Sequence, residues 1–223
     1  MIQMKEQEKL FLRSDAERLN VIIPAAGAPH NQASLEALLQ DRPLAMLDIS
    51  GKSLLQRNVE TLNKSKLYDI SVTRGYKKDA VDVEGVTYLD NSKYQSEHIL
   101  SSIMCAEAKM DCKTLIIYSD ILFESWLIER LKALNTDFVI VVDIGIAMFS
   151  ERGTEVFKNE YHKALEDYKI KQFYEAENIL QASLEDMLQH IINSGYSVEA
   201  LQVNSGWMEI HTFDNYKYAC SII

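Results

Sequence analysis

Val21-Ile22-Ile23 runs directly into Pro24-Ala25-Ala26-Gly27, and this junction constrains the chain more than any other stretch. Three consecutive β-branched residues suit a parallel strand covered on both faces. Where the side chains then shrink to Ala and Gly, backbone N–H groups are left bare at the strand's carboxyl end. A phosphate can approach such a turn because no Cβ stands in the way.

The rest of the chain alternates between strand and helix. Segments 69–73, 86–89, 114–118 and 138–143 are short apolar runs that read as strands. Segments 51–64, 96–108 and 124–134 carry apolar residues at helical spacing, among them Leu54, Leu55, Val59 and Leu62. This alternation predicts a three-layer α/β/α, Rossmann-like fold with a mainly parallel sheet. Ligands of such sheets sit beyond the carboxyl ends of the strands, where Gly27, Gly75 and Asp120 all fall. The second half reads as helices over 151–165 and 184–192, short strands over 198–203 and 206–210, and a terminal helix over 213–220. At Asp143-Ile144 one apolar run meets the next with no turn signal. Residues 1–19 read as a polar helical arm, and 20–223 as one domain.

Bulk properties exclude several classes. The formal net charge of −10 argues against broad contact with nucleic acid or anionic lipid. No apolar run approaches the roughly 20 residues that span a bilayer, and the charged start, Met1 to Lys9, lacks a signal-peptide core. A cytoplasmic protein is expected. Cys105, Cys112 and Cys220 form no CxxC pair, so they are expected to be reduced thiols rather than a disulfide or zinc framework.

Taken in order, the strand, Ala25-Ala26-Gly27, Arg42-Pro43-Leu44-Ala45-Met46-Leu47 and Gly51-Lys52-Ser53-Leu54-Leu55 form a pattern. It resembles the nucleotidyltransferases that act on sugar phosphates, phosphocholine and phosphonates. The resemblance covers roughly residues 20–143 and 184–220. It implies a glycosyltransferase-A-like version of the α/β/α fold and a divalent metal, Mg²⁺ or Mn²⁺. The reaction implied joins NMP to a phosphorylated acceptor and releases pyrophosphate. CTP with a small phosphorylated amine or phosphonate is the first choice, because the chain is short. A hexose-1-phosphate acceptor is the runner-up. A nucleotide-binding or regulatory relative with little turnover is the alternative of another class, and a homodimer is a possible assembly. A Rossmann oxidoreductase is disfavoured by the lack of G-x-G-x-x-G after the first strand.

The resemblance assigns roles residue by residue. Ala25, Ala26 and Gly27 would hold the nucleotide. Relatives continue as Gly-x-Gly-[ST]-x-Arg, whereas this chain has Ala28-Pro29-His30-Asn31-Gln32. Many relatives also carry a lysine where Leu44 stands. Lys52, beside a predicted helix start, would supply catalytic positive charge, and Arg74, Gly75 and Lys77 would face the base and phosphates. Asn91, Ser101 and Ser102 would position the base, with His98 where asparagine is common. A lone carboxylate after the buried run Leu115 to Tyr118 is hard to explain by packing, so Asp120 is the metal-binding and catalytic candidate. Its other reading is a helix N-cap. In Trp207-Met208-Glu209-Ile210-His211-Thr212, His211 aligns with the second metal aspartate of relatives. Glu209, two residues away on a strand, would share its face and could supply the missing oxygen.

Overall fold

A computed structural model describes residues 18–28, 34–39, 42–142 and 144–223. The chain opens with strand β1, Leu19–Ala25, then a short helix α1, Glu36–Leu39. Strands β2, Asp48–Ile49, and β3, Lys52–Ser53, precede helix α2, Leu54–Lys64. Next come β4, Ile70–Arg74, β5, Thr87–Asp90, and α3, Ile99–Met104. Strands β6, Lys113–Ile117, and β7, Ile121–Phe123, lead into α4, Ser125–Lys132. Strands β8, Phe138–Val141, and β9, Ile146–Phe149, are followed by α5, Glu151–Tyr168, and α6, Leu184–Asn193. The last elements are β10, Glu199–Leu201, β11, Trp207–Glu209, and α7, Phe213–Ile222.

The main sheet has the order β10-β8-β9-β6-β1-β4-β5, and only β9 runs against the rest. Its register sets Ala25, Arg74 and Asp90 side by side, so three strand ends form one carboxyl edge. A separate antiparallel pair, β7 with β11, stands beyond that edge.

The pleat sorts the central strands between two cores. Val21, Ile23, Val72, Leu115 and Ile117 point to one face, where α2 and α4 contribute Leu55, Val59, Leu62, Leu127 and Leu131. Ile22 and Ile116 point to the other, against residues of α3, α5 and α6 and the rings of Phe138, Phe149 and Phe157. Phe149 and Phe157 lie 4.9 Å apart between centroids. Each fully buried side chain of this size contributes roughly 1.5–3 kcal/mol. Four of the helices begin on capping side chains: Ser53, Ser150, Ser183 and Thr212 each accept a backbone N–H of the first turn.

Several expectations need correction. Leu19 belongs to β1, so the proposed arm cannot extend through residue 19; residues 1–17 lie outside the described residues. Gly51-Lys52 does not start a helix. Ser50 and Gly51 both have positive φ and make the two-residue turn of the β2–β3 hairpin, a geometry that matches strand twist. The helix over 96–108 shortens to α3. The junction near Asp143, which is itself outside the described residues, is a tight turn in which Gly145 has φ +58°, and β9 is a strand of its own. All three cysteines are free thiols, Cys112 buried and Cys105 exposed.

Candidate active site

The carboxyl edge of the sheet opens into a cleft of about 220 Å³. Its floor is the end of β1 and the turn after it, Pro24 to Ala28, with Pro43, Leu44 and Ala45 on one side. Tyr94, His98, Ile99 and Ser102 face them from the segment that enters α3, and Tyr118, Ser119 and Asp120 close the far end. Ala25 and Ala26 are buried while Gly27 is exposed, so the chain surfaces where its side chains vanish.

Asp120 stands between β6 and β7, with a quarter of its side chain (27%) exposed. Its carbonyl accepts the Ile210 N–H at 2.9 Å, which extends the β7–β11 pairing by one step. That bond carries His211 to the same spot: its Nε2 is 2.8 Å from the Asp120 carboxylate. Glu209 approaches the other ring nitrogen, Nδ1, at 3.6 Å, as the two-residue strand period requires. The hydrogen bond that His211 donates to the Asp120 carboxylate raises the His211 pKa above its ordinary 6.5, partial burial opposes the shift, and the charges of Asp120 and Glu209 add to it. The Asn215 side chain caps this corner, accepting the N–H groups of His211 and Thr212 at 3.3 and 3.0 Å.

No family model matches the chain. A curated CTP:phosphoglutamine cytidylyltransferase from Campylobacter jejuni is 28% identical over 140 residues, 56% of this chain and 53% of that protein. The match thus spans about half the length of that relative. Among solved structures, the CTP:phosphocholine cytidylyltransferase of Streptococcus pneumoniae superposes with a TM-score of 0.71 at 17% identity, over 92% of this chain and 99% of that one. The inositol-1-phosphate CTP transferase of T. maritima gives 0.65 at 16% identity, over 92% and 95%. The chain has the nucleotidyltransferase fold.

Within this cleft the sequence candidates fall into three groups. Ala25, Ala26, Gly27, Ser102 and Asp120 line it, and His211 and Glu209 join at Asp120. Gly75 and Asn91 support the wall. A Cβ on Gly75 would lie 2.7 Å from the Ala26 carbonyl and from Tyr94, and Asn91 donates to Ser102 Oγ at 3.1 Å. The third group does not line the cleft. Lys52 lies on β3 and binds both Glu60 oxygens at 2.7 and 2.8 Å. Arg74 forks onto Asp90 and stacks 4.2 Å over the Tyr88 ring. Lys77 sits at a left-handed turn with its amine 6.0 Å over Tyr76. Ser101 is buried one residue round the helix from Ser102, beside the Tyr161 phenol. Residues 29–33 of the phosphate loop lie outside the described residues.

Tyr118 was not among the sequence candidates for the site, yet it walls the cleft together with Tyr94. Its signal lay in position alone, two residues before Asp120. Among the described residues that line the cleft, none is Lys or Arg.

Proposed function

We propose that this protein is a nucleotidyltransferase that transfers CMP from CTP to a small phosphorylated acceptor and releases pyrophosphate. The observation that carries the reading is the meeting of Asp120, Glu209 and His211 at one end of a cleft floored by Ala25-Ala26-Gly27. The named activities of the relatives support cytidine as the nucleoside, and acceptors such as phosphocholine or phosphoglutamine as the class.

The chemistry asks for in-line attack by an acceptor oxygen on the α-phosphorus, which needs positioning and charge neutralisation rather than a protein nucleophile. The turn after β1 offers backbone approach to phosphates, and Ser102 and Tyr94 hold the nucleotide's other end. Asp120, with Glu209 and His211 beside it, would offer a carboxylate to a divalent cation, Mg²⁺ or Mn²⁺. Among the described residues no group of three His, Cys, Asp or Glu side chains is placed to hold a metal ion by itself. A partly exposed carboxylate with one or two neighbours fits a cation that draws its remaining ligands from substrate oxygens and water. Such a cation would neutralise charge at the phosphates when bound. The reading extends to a cytoplasmic enzyme, and to a homodimer as its assembly. No helix among the described residues is long and apolar enough to cross a membrane.

A second reading, a nucleotide-binding relative with little turnover, is favoured by the engagement of Lys52 and Arg74 away from the cleft. Pyrophosphate release separates the two. The assay takes the four NTPs, phosphocholine, phosphoglutamine and inositol 1-phosphate, with Mg²⁺ or Mn²⁺. Turnover with CTP and loss of about a hundredfold or more in Asp120→Asn, with circular dichroism unchanged, is the outcome expected of the enzyme. Nucleotide binding without pyrophosphate in any combination selects the second reading.

A further inference from the structure

We infer that Tyr118 sets the width of the cleft at its Asp120 end, and that Gly145 in the β8–β9 turn is the positioning residue that holds the Tyr118 ring in place. The inference rests on the nucleotidyltransferase reading of the cleft.

Tyr118 leaves β6 just before Ser119 and Asp120, and all three line the cleft. Its N–H donates to the Gly145 carbonyl at 2.9 Å. The two residues are also packed face to face. A Cβ on residue 145 would fall 2.4, 2.5 and 2.9 Å from Cδ2, Cγ and Cβ of Tyr118. Any side chain there must displace the ring, and φ of +58° at Gly145 disfavours other residues independently.

Tyr118 Oη is buried next to Leu184 and Glu185. Burial, with the nearby charges of Glu185 and Asp120, keeps its proton on. Gly145 packs against the other end of the ring, at Cβ, Cγ and Cδ2. A side wall repeats the device, with Tyr94 pressed against Gly75. Two tyrosines thus bound one small cleft, one backed by Gly75 in the turn after β4 and the other by Gly145 in the turn before β9.

The test is a double-mutant cycle on CTP affinity, measured by calorimetry with Mg²⁺ on the full chain. Gly145→Ala is expected to weaken CTP about tenfold, within the usual coupling between contacting residues. In the Tyr118→Ala background the same change at 145 is expected to have less than about a twofold effect. Gly195→Ala controls for backbone strain, because Gly195 has φ +94° and nothing within 4 Å of its would-be Cβ, so CTP affinity should not change. Equal loss from Gly145→Ala in both backgrounds, or equal loss in Gly195→Ala, overturns the positioning role. Should Gly145→Ala fail to fold, Tyr118→Leu decides: it removes the ring and keeps an apolar contact, and unchanged CTP affinity overturns the inference. Absence of CTP binding by the unmodified protein, by contrast, overturns the function proposed above, and the inference with it.

Discussion

His211 stands between two carboxylates, Asp120 at 2.8 Å and Glu209 at 3.6 Å. Each favours the imidazolium, so the folded-state pKa lies above 6.5. A raised histidine pKa stabilises the fold fully below its unfolded value, and that contribution is lost as pH rises through the folded value. In the metal-free protein, an NMR titration of His211 should therefore show a midpoint above 6.5. Asp120→Asn should bring it back down, because the largest cause of the shift is removed; a midpoint that stays put would reject the pairing. The same residue bears on metal choice. Imidazole suits borderline metals, and hard oxygen suits Mg²⁺. His211→Asp should raise Mg²⁺-supported turnover relative to Mn²⁺, as read from metal titrations of both proteins. Equal metal preference would leave His211 as a structural partner of Asp120.

Among the elements, turns rather than strands decide where the site residues point. The turn after β4 is the tightest case. The Tyr76 N–H donates to the Ala26 carbonyl at 2.8 Å, and Gly75 lies against that same carbonyl and Tyr94. Gly75→Ala would force the loop of β1 and the tyrosine apart. The expected cost is about 1–3 kcal/mol, typical of overpacking, read as a lower denaturant midpoint with an unchanged slope. The β-branched runs made β1, β4, β6 and β8 legible in the sequence, and the helical spacing of Leu54, Leu55, Val59 and Leu62 made α2 legible. The strand β7 was not legible, because Ile121–Phe123 is too short to show a period. Asp120 and Gly27 were readable at the site, since each breaks an apolar run. The engagement of Lys52 by Glu60 and of Arg74 by Asp90 was not, because charge pairing eight or sixteen residues apart depends on a hairpin and a strand register that local pattern does not encode.

At the scale of the whole molecule, α5 and α6, which cover the same face of the sheet, are tied together by a buried acid. Glu160, 7% exposed, binds Lys163 at 2.7 Å and accepts from Ser194 at 3.2 Å, with His190 at 3.5 Å. Lys163 is the main reason its pKa lies below the ordinary 4.5, with Ser194 and His190 adding and burial opposing. A depressed carboxyl pKa stabilises the protein above the unfolded value, and the contribution is lost as pH falls through the folded one. Glu160→Gln should therefore be less stable than the unmodified protein near neutrality. The difference should shrink as the pH is lowered past 4.5, checked by urea unfolding across that range. A constant gap at every pH would mean the loss is one of packing.

The pairing of β11 with β7 has a consequence in time. Asp120 and His211 are 91 positions apart in the chain, and a ladder of three residue pairs, extended by the Ile210 N–H to the Asp120 carbonyl, joins the segments that carry them outside the main sheet. So short a two-stranded ladder opens more readily than a strand inside a seven-stranded sheet. The turn after β1 can be complete while the Asp120 end of the cleft is still open. Native-state hydrogen exchange should find the amides of Trp207–Glu209 opening at lower free energy than those of β1, and a bound nucleotide would act as the clasp that slows them.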